Sequence, residues 1–180
     1  MFNEKIITIS GLPGSGTTTA AKKLSEMTGM DIISTGEIFR ELAKEKGYTV
    51  EEFGTVAEND KEIDLELDDR MIEKAQPGKI MEGRLTGQML NRSSKNAFKV
   101  WIEADKDVRL KRIAEREGMS LRKTKELVDQ RERSERKRYL DYYGIDLLDK
   151  KIYDLVIDSG KNTPEEIASK IIEGVRDGPY

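Results

Sequence analysis

Eight residues carry the clearest chemical signal in this chain: Gly11-Leu12-Pro13-Gly14-Ser15-Gly16-Thr17-Thr18, with Thr19 directly after them. Their spacing is that of a phosphate-binding loop, in which glycines let successive backbone N–H groups turn toward a row of phosphates. A helix beginning there adds its positive end to the same site. One position departs from the usual G-x-x-x-x-G-K-[ST]. Thr17 occupies the lysine slot, while Thr18 keeps the hydroxyl that meets Mg²⁺. A backbone nest still suits a triphosphate, but the charge that lysine gives the β- and γ-phosphates must come from elsewhere. A β-to-α turn without a ligand would need neither three glycines nor two hydroxyls.

Two further places suit a second anion. Ser34-Thr35-Gly36-Glu37-Ile38-Phe39-Arg40 sets a hydroxyl at a helix start and Arg40 one turn in, and Glu82-Gly83-Arg84 sets Arg84 just past a strand end. Two guanidinium groups converging on one crevice match a monophosphate, whose oxygens they bind in bidentate fashion. The segment Arg109–Arg138 is a third concentration of charge. Its twelve basic residues against six acidic ones give +6 on a chain whose total is −3, so the remainder carries −9. Half of these residues read as a solvated face. The excess, with Gly118 as a hinge, suits a lid closing over phosphates. Arg131 and Arg138, two helical turns apart, fall on one face and can supply the charge that Thr17 lacks. Lys22 and Lys23 follow the loop, but a helix points them away from its own N-terminus.

These residues need a frame that brings them together. Lys5-Ile6-Ile7-Thr8-Ile9-Ser10 reads as a strand before the loop, and Thr19 to Met27 as a helix after it, with Ala20, Ala21, Leu24 and Met27 at helical spacing. Asp31–Ser34, Lys79–Glu82, Phe98–Ile102 and Leu155–Asp158 read as further strands. Between them the helix signals recur. Ile38, Phe39, Leu42 and Ala43 share one side before Gly47, Thr49 with Glu52 forms a capping box, and a helical stretch from about Asp60 to Gln76 is closed by Pro77-Gly78. Asp105 caps a helix to Gly118, and Ser120 to Tyr143 is a long basic helical stretch, continuous or broken midway. Thr163, Pro164 and Glu166 open the last helix. Five strands each followed by helix predict an α/β fold with a parallel sheet and helices on both faces. Ligands bind outside the carboxyl ends of such strands, which is where the loop, Thr35–Arg40 and Glu82–Thr86 fall.

Composition narrows the chemistry. At 180 residues, 37% of them charged, the chain predicts one domain with a sizeable core and no repeat or interdomain linker. It has no cysteine and no histidine, which excludes disulfides, thiolate or imidazole metal sites, Ser–His triads and an imidazole base. The net charge of −3 and pI near 5.4 speak against nucleic acid as a partner. No apolar run is long enough for a membrane span and no leader-like hydrophobic region stands at the N-terminus, so the expected location is cytoplasmic.

Taken together, the loop, the Ser34-Thr35-Gly36-x-x-x-Arg40 segment, the Glu82-Gly83-Arg84 turn and the arginine-rich segment resemble a nucleoside monophosphate kinase. More closely, the chain is similar to the archaeal type of cytidylate kinase, whose Gly-x-Pro-Gly-Ser-Gly-Thr-Thr-Thr loop has threonine at position 17 as well. Ile63-Asp64-x-Glu66-Leu67-Asp68-x-Arg70, Glu82-Gly83-Arg84-Leu85, Arg131-Glu132-x-Ser134-Glu135-x-x-Arg138-Tyr139 and Tyr153-Asp154-Leu155-Val156-Ile157-Asp158 extend the likeness over almost the full length. The resemblance implies a three-layer P-loop kinase fold with a five-stranded parallel sheet. It implies a core of about 1–34, 78–118 and 150–180, a monophosphate-binding insert at about 35–77 and a lid at about 119–149. It also implies transfer of the γ-phosphoryl group of ATP to CMP or dCMP with Mg²⁺, by a monomer.

Carried over by residue, Gly11, Leu12, Pro13, Gly14, Ser15, Gly16, Thr17, Thr18 and Thr19 hold ATP phosphates, with Thr18 on the metal. Thr35, Arg40 and Arg84 hold the monophosphate, Asp68 belongs to the monophosphate side with a possible role in reading the base, and Arg131 and Arg138 embrace the transferred group, with Arg112 and Arg116 as weaker candidates. Adenylate kinase, a small-metabolite kinase and a nucleotide sensor without turnover are the rival readings. Glu82-Gly83-Arg84-Leu85, where adenylate kinases have an Asp-Gly-Phe-Pro-Arg type of turn, favours the cytidylate side.

Overall fold

A computed structural model describes residues 2–178. Its centre is strand β1 (Ile6–Gly11), buried along its whole length. β3 (Lys79–Glu82) and β4 (Phe98–Glu103) flank it, with β2 (Asp31–Ser34) and β5 (Leu155–Asp158) outside them, giving the order β2-β3-β1-β4-β5. All four pairings are parallel. Strands buried on both faces need side chains that pack in two directions, and β1 and β4 supply them by alternation. Ile7, Ile9, Val100 and Ile102 enter one core, and Ile6 and Trp101 the other.

The first core is closed by α1 (Thr17–Thr28) and α8 (Pro164–Asp177) through Ala20, Ala21, Leu24, Ile167, Ala168, Ile171 and Val175. Contact there is close. A Cβ on Gly174 would come 2.6 Å from the Phe98 ring. The opposite face carries α2 (Thr35–Glu45), α3 (Val50–Ala57), α4 (Lys61–Lys74) and α5 (Thr86–Arg92), packed through Ile38, Leu42, Phe53, Met71 and Leu90. α6 (Lys106–Glu117) and α7 (Leu121–Tyr143) share a small cluster of Leu110, Ile113 and Val128.

Local chemistry sets the element ends. Thr49/Glu52 and Thr163/Glu166 both form reciprocal capping boxes, as their spacing predicts. The basic stretch is one uninterrupted helix of 23 residues, opened by the Ser120 side chain and ended at Gly144 in the left-handed region. α5 is the helix expected after the third strand, to which the sequence gives no bounds. Seven residues are too short for a helical period to show. The register sets Ser34 and Ile9 on either side of Glu82, so β2, β3 and β1 deliver their carboxyl ends to one place.

Leu24 is fully buried between α1 and the sheet, whereas Leu140 on α7 is exposed. Leu24→Ala is expected to lower unfolding free energy in urea by about 2–5 kcal/mol, against less than about 0.5 kcal/mol for Leu140→Ala.

Candidate active site

The loop after β1 is held from outside by α6. The buried Arg109 donates to the Pro13 carbonyl (3.0 Å) and pairs with Glu132 (2.6 Å). Arg112 donates to the Gly14 carbonyl (3.2 Å), to the Ser159 hydroxyl (2.8 Å) and to the Ser159 carbonyl (2.9 Å). The Ser159 hydroxyl in turn donates to the Ser15 carbonyl (2.6 Å). In a trans peptide the carbonyl and the next N–H point in opposite directions. Anchoring the carbonyls of Pro13 and Ser15 outward therefore turns the N–H groups of Gly14 and Gly16 inward. Both glycines hold the left-handed backbone this requires, with φ of +79° and +95°. Gly16 caps α1, whose first N–H groups have no carbonyl inside the helix to bond. The result is a nest of donors suited to an anion.

Glu82, at the carboxyl end of β3, is 8% exposed and ties this loop to its neighbour. Its Oε1 accepts from the hydroxyls of Thr17 (2.7 Å) and Thr18 (3.3 Å), and its Oε2 from the hydroxyl of Ser34 (2.9 Å). Ser34 Oγ accepts from the Gly36 N–H and so caps α2, and the Thr35 hydroxyl donates to the Glu82 carbonyl (2.9 Å). Gly83 makes room for that contact, since a Cβ there would collide with Thr35 Oγ1. A hydroxyl has one proton and two lone pairs. With its proton given to Glu82, Thr18 presents only lone pairs to the loop, which fits a hard cation such as Mg²⁺. Among the described residues no group of three acidic side chains forms a cage. The donor set present matches an ion held by one or two protein oxygens with substrate phosphates and water.

Beyond the Gly83 turn, Arg84 is paired with Glu135 of α7. Arg131 Nε donates to the same Oε1 of Glu135 (3.0 Å), and Arg138 pairs with Asp64 of α4 (2.8 Å). The fold thus brings Arg84, Arg131 and Arg138 around two carboxylates. Arg131 remains 63% exposed, and the buried Glu135 Oε2 and Arg138 Nε have no hydrogen-bond partner among the described residues. Arg40 is exposed one turn into α2, its guanidinium folded back toward Gly36.

Asp68 stands one turn beyond Asp64 on α4 and is bonded by the Tyr143 hydroxyl rather than by an arginine. Burial pushes its carboxyl up to about 7, against the lowering effect of the Tyr143 bond and with Asp64 and Asp69 adding to the rise. It lines a cavity of about 240 Å³ with Ile72, Met89, Arg92 and Tyr143. A smaller one of about 120 Å³ abuts Leu12 and Ser15 of the loop. The larger cavity is not at the loop, because the anion site is an open nest of N–H groups rather than a hollow. Arg116 lies on the surface beside Glu117, and Lys23 pairs with Glu26 and Glu165, away from the loop.

Sequence reasoning placed Glu82 at the site but missed its hold on Thr17 and Ser34, missed Arg109 and Ser159, and read Arg112 as a weaker candidate for embracing the transferred group rather than a brace behind the loop. A carboxylate at a strand end beside two hydroxyl-bearing segments was the available signal for that hold. Nothing local marks the other three.

Residues 6–161 match the model of the cytidylate kinase-like family. A cytidylate kinase of Methanococcoides burtonii is 50% identical over 158 residues, spanning 87% of this chain and 88% of that one. A cytidylate kinase of Pyrococcus horikoshii is 48% identical over 164 residues, 90% and 83% respectively. In fold, an uncharacterized protein from Eubacterium ventriosum superposes with a TM-score of 0.73 at 24% identity, covering 97% of this chain and 99% of that one. Shikimate kinase from Acinetobacter baumannii, in complex with shikimate, superposes at 0.60 and 17%, covering 97% and 94%. Both structural likenesses concern the fold alone.

Asp68 binds its proton more tightly folded than unfolded, so its contribution to stability is greatest below the ordinary carboxyl range and is lost as pH rises toward about 7. Asp68→Asn should flatten that decline. Urea titrations at pH 5 and pH 8 are expected to show the variant gaining on the wild type at the higher pH.

Proposed function

The chain belongs to the cytidylate kinase-like family, and on that premise we propose that it phosphorylates CMP, and dCMP, with ATP as donor and Mg²⁺ as the metal. The observation that carries this reading is the placement of two anion-binding elements on the strand ends either side of β3, the loop after β1 and the start of α2, with the Glu82 carboxylate of β3 between them and three arginines gathered beyond.

In this reading Gly11–Thr19 hold the ATP phosphates and Thr18 contacts the metal. Thr35, Arg40 and Arg84 hold the monophosphate, with Asp68 on the same side. Arg131 and Arg138 close on the transferring group. An oxygen of the CMP phosphate attacks the γ-phosphorus. The bond from that phosphorus to the β–γ bridging oxygen breaks, and ADP leaves with the electron pair. The attacking oxygen is already ionised near neutral pH, so no base is required, in keeping with a chain that has no histidine. Mg²⁺, when bound, neutralises charge on the donor phosphates.

The protein's own work is positioning and charge placement, which dominate phosphoryl transfer. The N–H groups of Gly14 and Gly16 and of the start of α1 orient the donor. Thr17 gives its proton to Glu82, so the positive charge that a loop lysine would provide falls to the arginines of α7. Their present carboxylate partners, Glu135 and Asp64, keep them assembled where phosphates would arrive. Closure of 119–149 over the core would exclude water and limit ATP hydrolysis. The reaction belongs in the cytoplasm, where both nucleotides are available. None of the described helices is long and apolar enough to cross a membrane.

Product formation from Mg²⁺-ATP with CMP, dCMP, UMP, AMP and GMP tests the reaction. CMP and dCMP should be turned over well ahead of the rest, and preference for AMP would overturn the assignment. Arg131→Ala and Arg138→Ala should each lower kcat by ~10²-fold or more if they stabilise charge in the transition state. A loss below tenfold in both would remove them from that role.

A further inference from the structure

We propose that the Thr17–Glu82–Ser34 bridge couples the two nucleotide sites, so that each substrate strengthens the binding of the other. The proposal rests on the reading of the β1 loop as the donor site and the start of α2 as the acceptor site.

One planar carboxylate serves both sides. Oε1 takes the hydroxyl protons of Thr17 and Thr18 on the donor loop, and Oε2 takes that of Ser34 at the head of α2. Among the described residues no lysine or arginine pairs with it, so these hydroxyls set its orientation. The two oxygens cannot turn independently. A donor that draws the Thr17 and Thr18 hydroxyls toward its phosphates and metal re-aims Oε1, and Oε2 moves against Ser34. Ser34 is not a passive recipient. It caps α2 by accepting from the Gly36 N–H, and its neighbour Thr35 is fixed to the Glu82 carbonyl. A shift there therefore reaches the start of α2, where Thr35, with Arg40 one turn further on, would meet the acceptor phosphate. Linkage makes the effect reciprocal, so CMP must tighten the donor by the same factor.

This also accounts for threonine in the lysine slot. An ammonium at position 17 would lie within reach of Glu82 and take its charge as an ion pair. A hydroxyl leaves the carboxylate held by neutral donors that can be re-aimed at small cost. Thr17 then acts on the acceptor site through Glu82, in addition to its place in the loop that holds the donor phosphates.

The test is calorimetric binding of CMP with and without a non-hydrolysable ATP analogue and Mg²⁺, run on the wild type, Ser34→Ala and Ser34→Thr. The wild type should bind CMP at least ~5-fold more tightly in the presence of the analogue. Ser34→Ala should bring the ratio below twofold, and Ser34→Thr, which keeps the hydroxyl, should restore it. Thr17→Val, which removes the shorter of the two donor-side bonds to Glu82 and leaves only that of Thr18, should also lower the ratio and serves in place of Ser34→Ala if the missing cap unfolds α2. A wild-type ratio near or below one, or an unchanged ratio in both Ser34→Ala and Thr17→Val, overturns the proposal. Turnover of CMP by a wild type with no coupling overturns the bridge alone, whereas absence of CMP turnover overturns the assigned reaction.

Discussion

A carboxylate buried at the end of β3 is the constraint around which the rest of this structure is arranged. Burying such a group is costly unless its oxygens are bonded. Glu82 meets that demand with hydroxyls from three residues on two segments rather than with a cation. The demand explains several choices at once. It uses up the protons of Thr17 and Thr18, so the loop offers lone pairs where a lysine would offer charge. It requires β2 to end on a hydroxyl, which doubles as the cap of α2. It also requires Gly83 next in line, because Thr35 must lie against the backbone there.

Positive charge is gathered on the far side of Glu82. Arg84, Arg131 and Arg138 come from two elements that meet only in the folded chain, and Glu135 and Asp64 keep them close without using every donor. A second pair of arginines, Arg109 and Arg112, faces the loop from behind and bonds its carbonyls. The positive charge of the Arg109–Arg138 segment thus divides by function. Part bonds the loop carbonyls from behind, part is gathered around Glu135 and Asp64, and part, such as Arg116 and Arg122, is solvated surface.

Much of the fold was legible in the sequence because its signals are local. The glycine spacing of the loop, the strand alternation and the two capping boxes each depend on a few neighbouring residues, and each appears where the pattern put it. The convergence of Arg131 and Arg138 was legible for the same reason, since two turns of one helix fix their common face. What escaped was the long-range chemistry. Arg109 and Arg112 read as members of a basic run, because nothing in the run says which of its residues will face a loop 96 to 98 residues earlier. Glu82 was visible as a polar residue at a strand end, but its hold on Thr17 and Ser34 follows from the register of β1, β2 and β3. The partner of Asp68, Tyr143 at the end of α7, could not be inferred until α7 proved to be one unbroken helix.

The most direct measurement is the steady-state rate of CDP formation by Glu82→Gln at saturating Mg²⁺-ATP and CMP, with circular dichroism to confirm that the variant is folded. If the charge of this carboxylate organises the donor loop and its metal-facing hydroxyl, kcat should fall by at least ~10²-fold, because the amide keeps the shape but removes the charge and faces donors with a donor. A folded variant that retains more than a tenth of the wild-type rate would contradict the account.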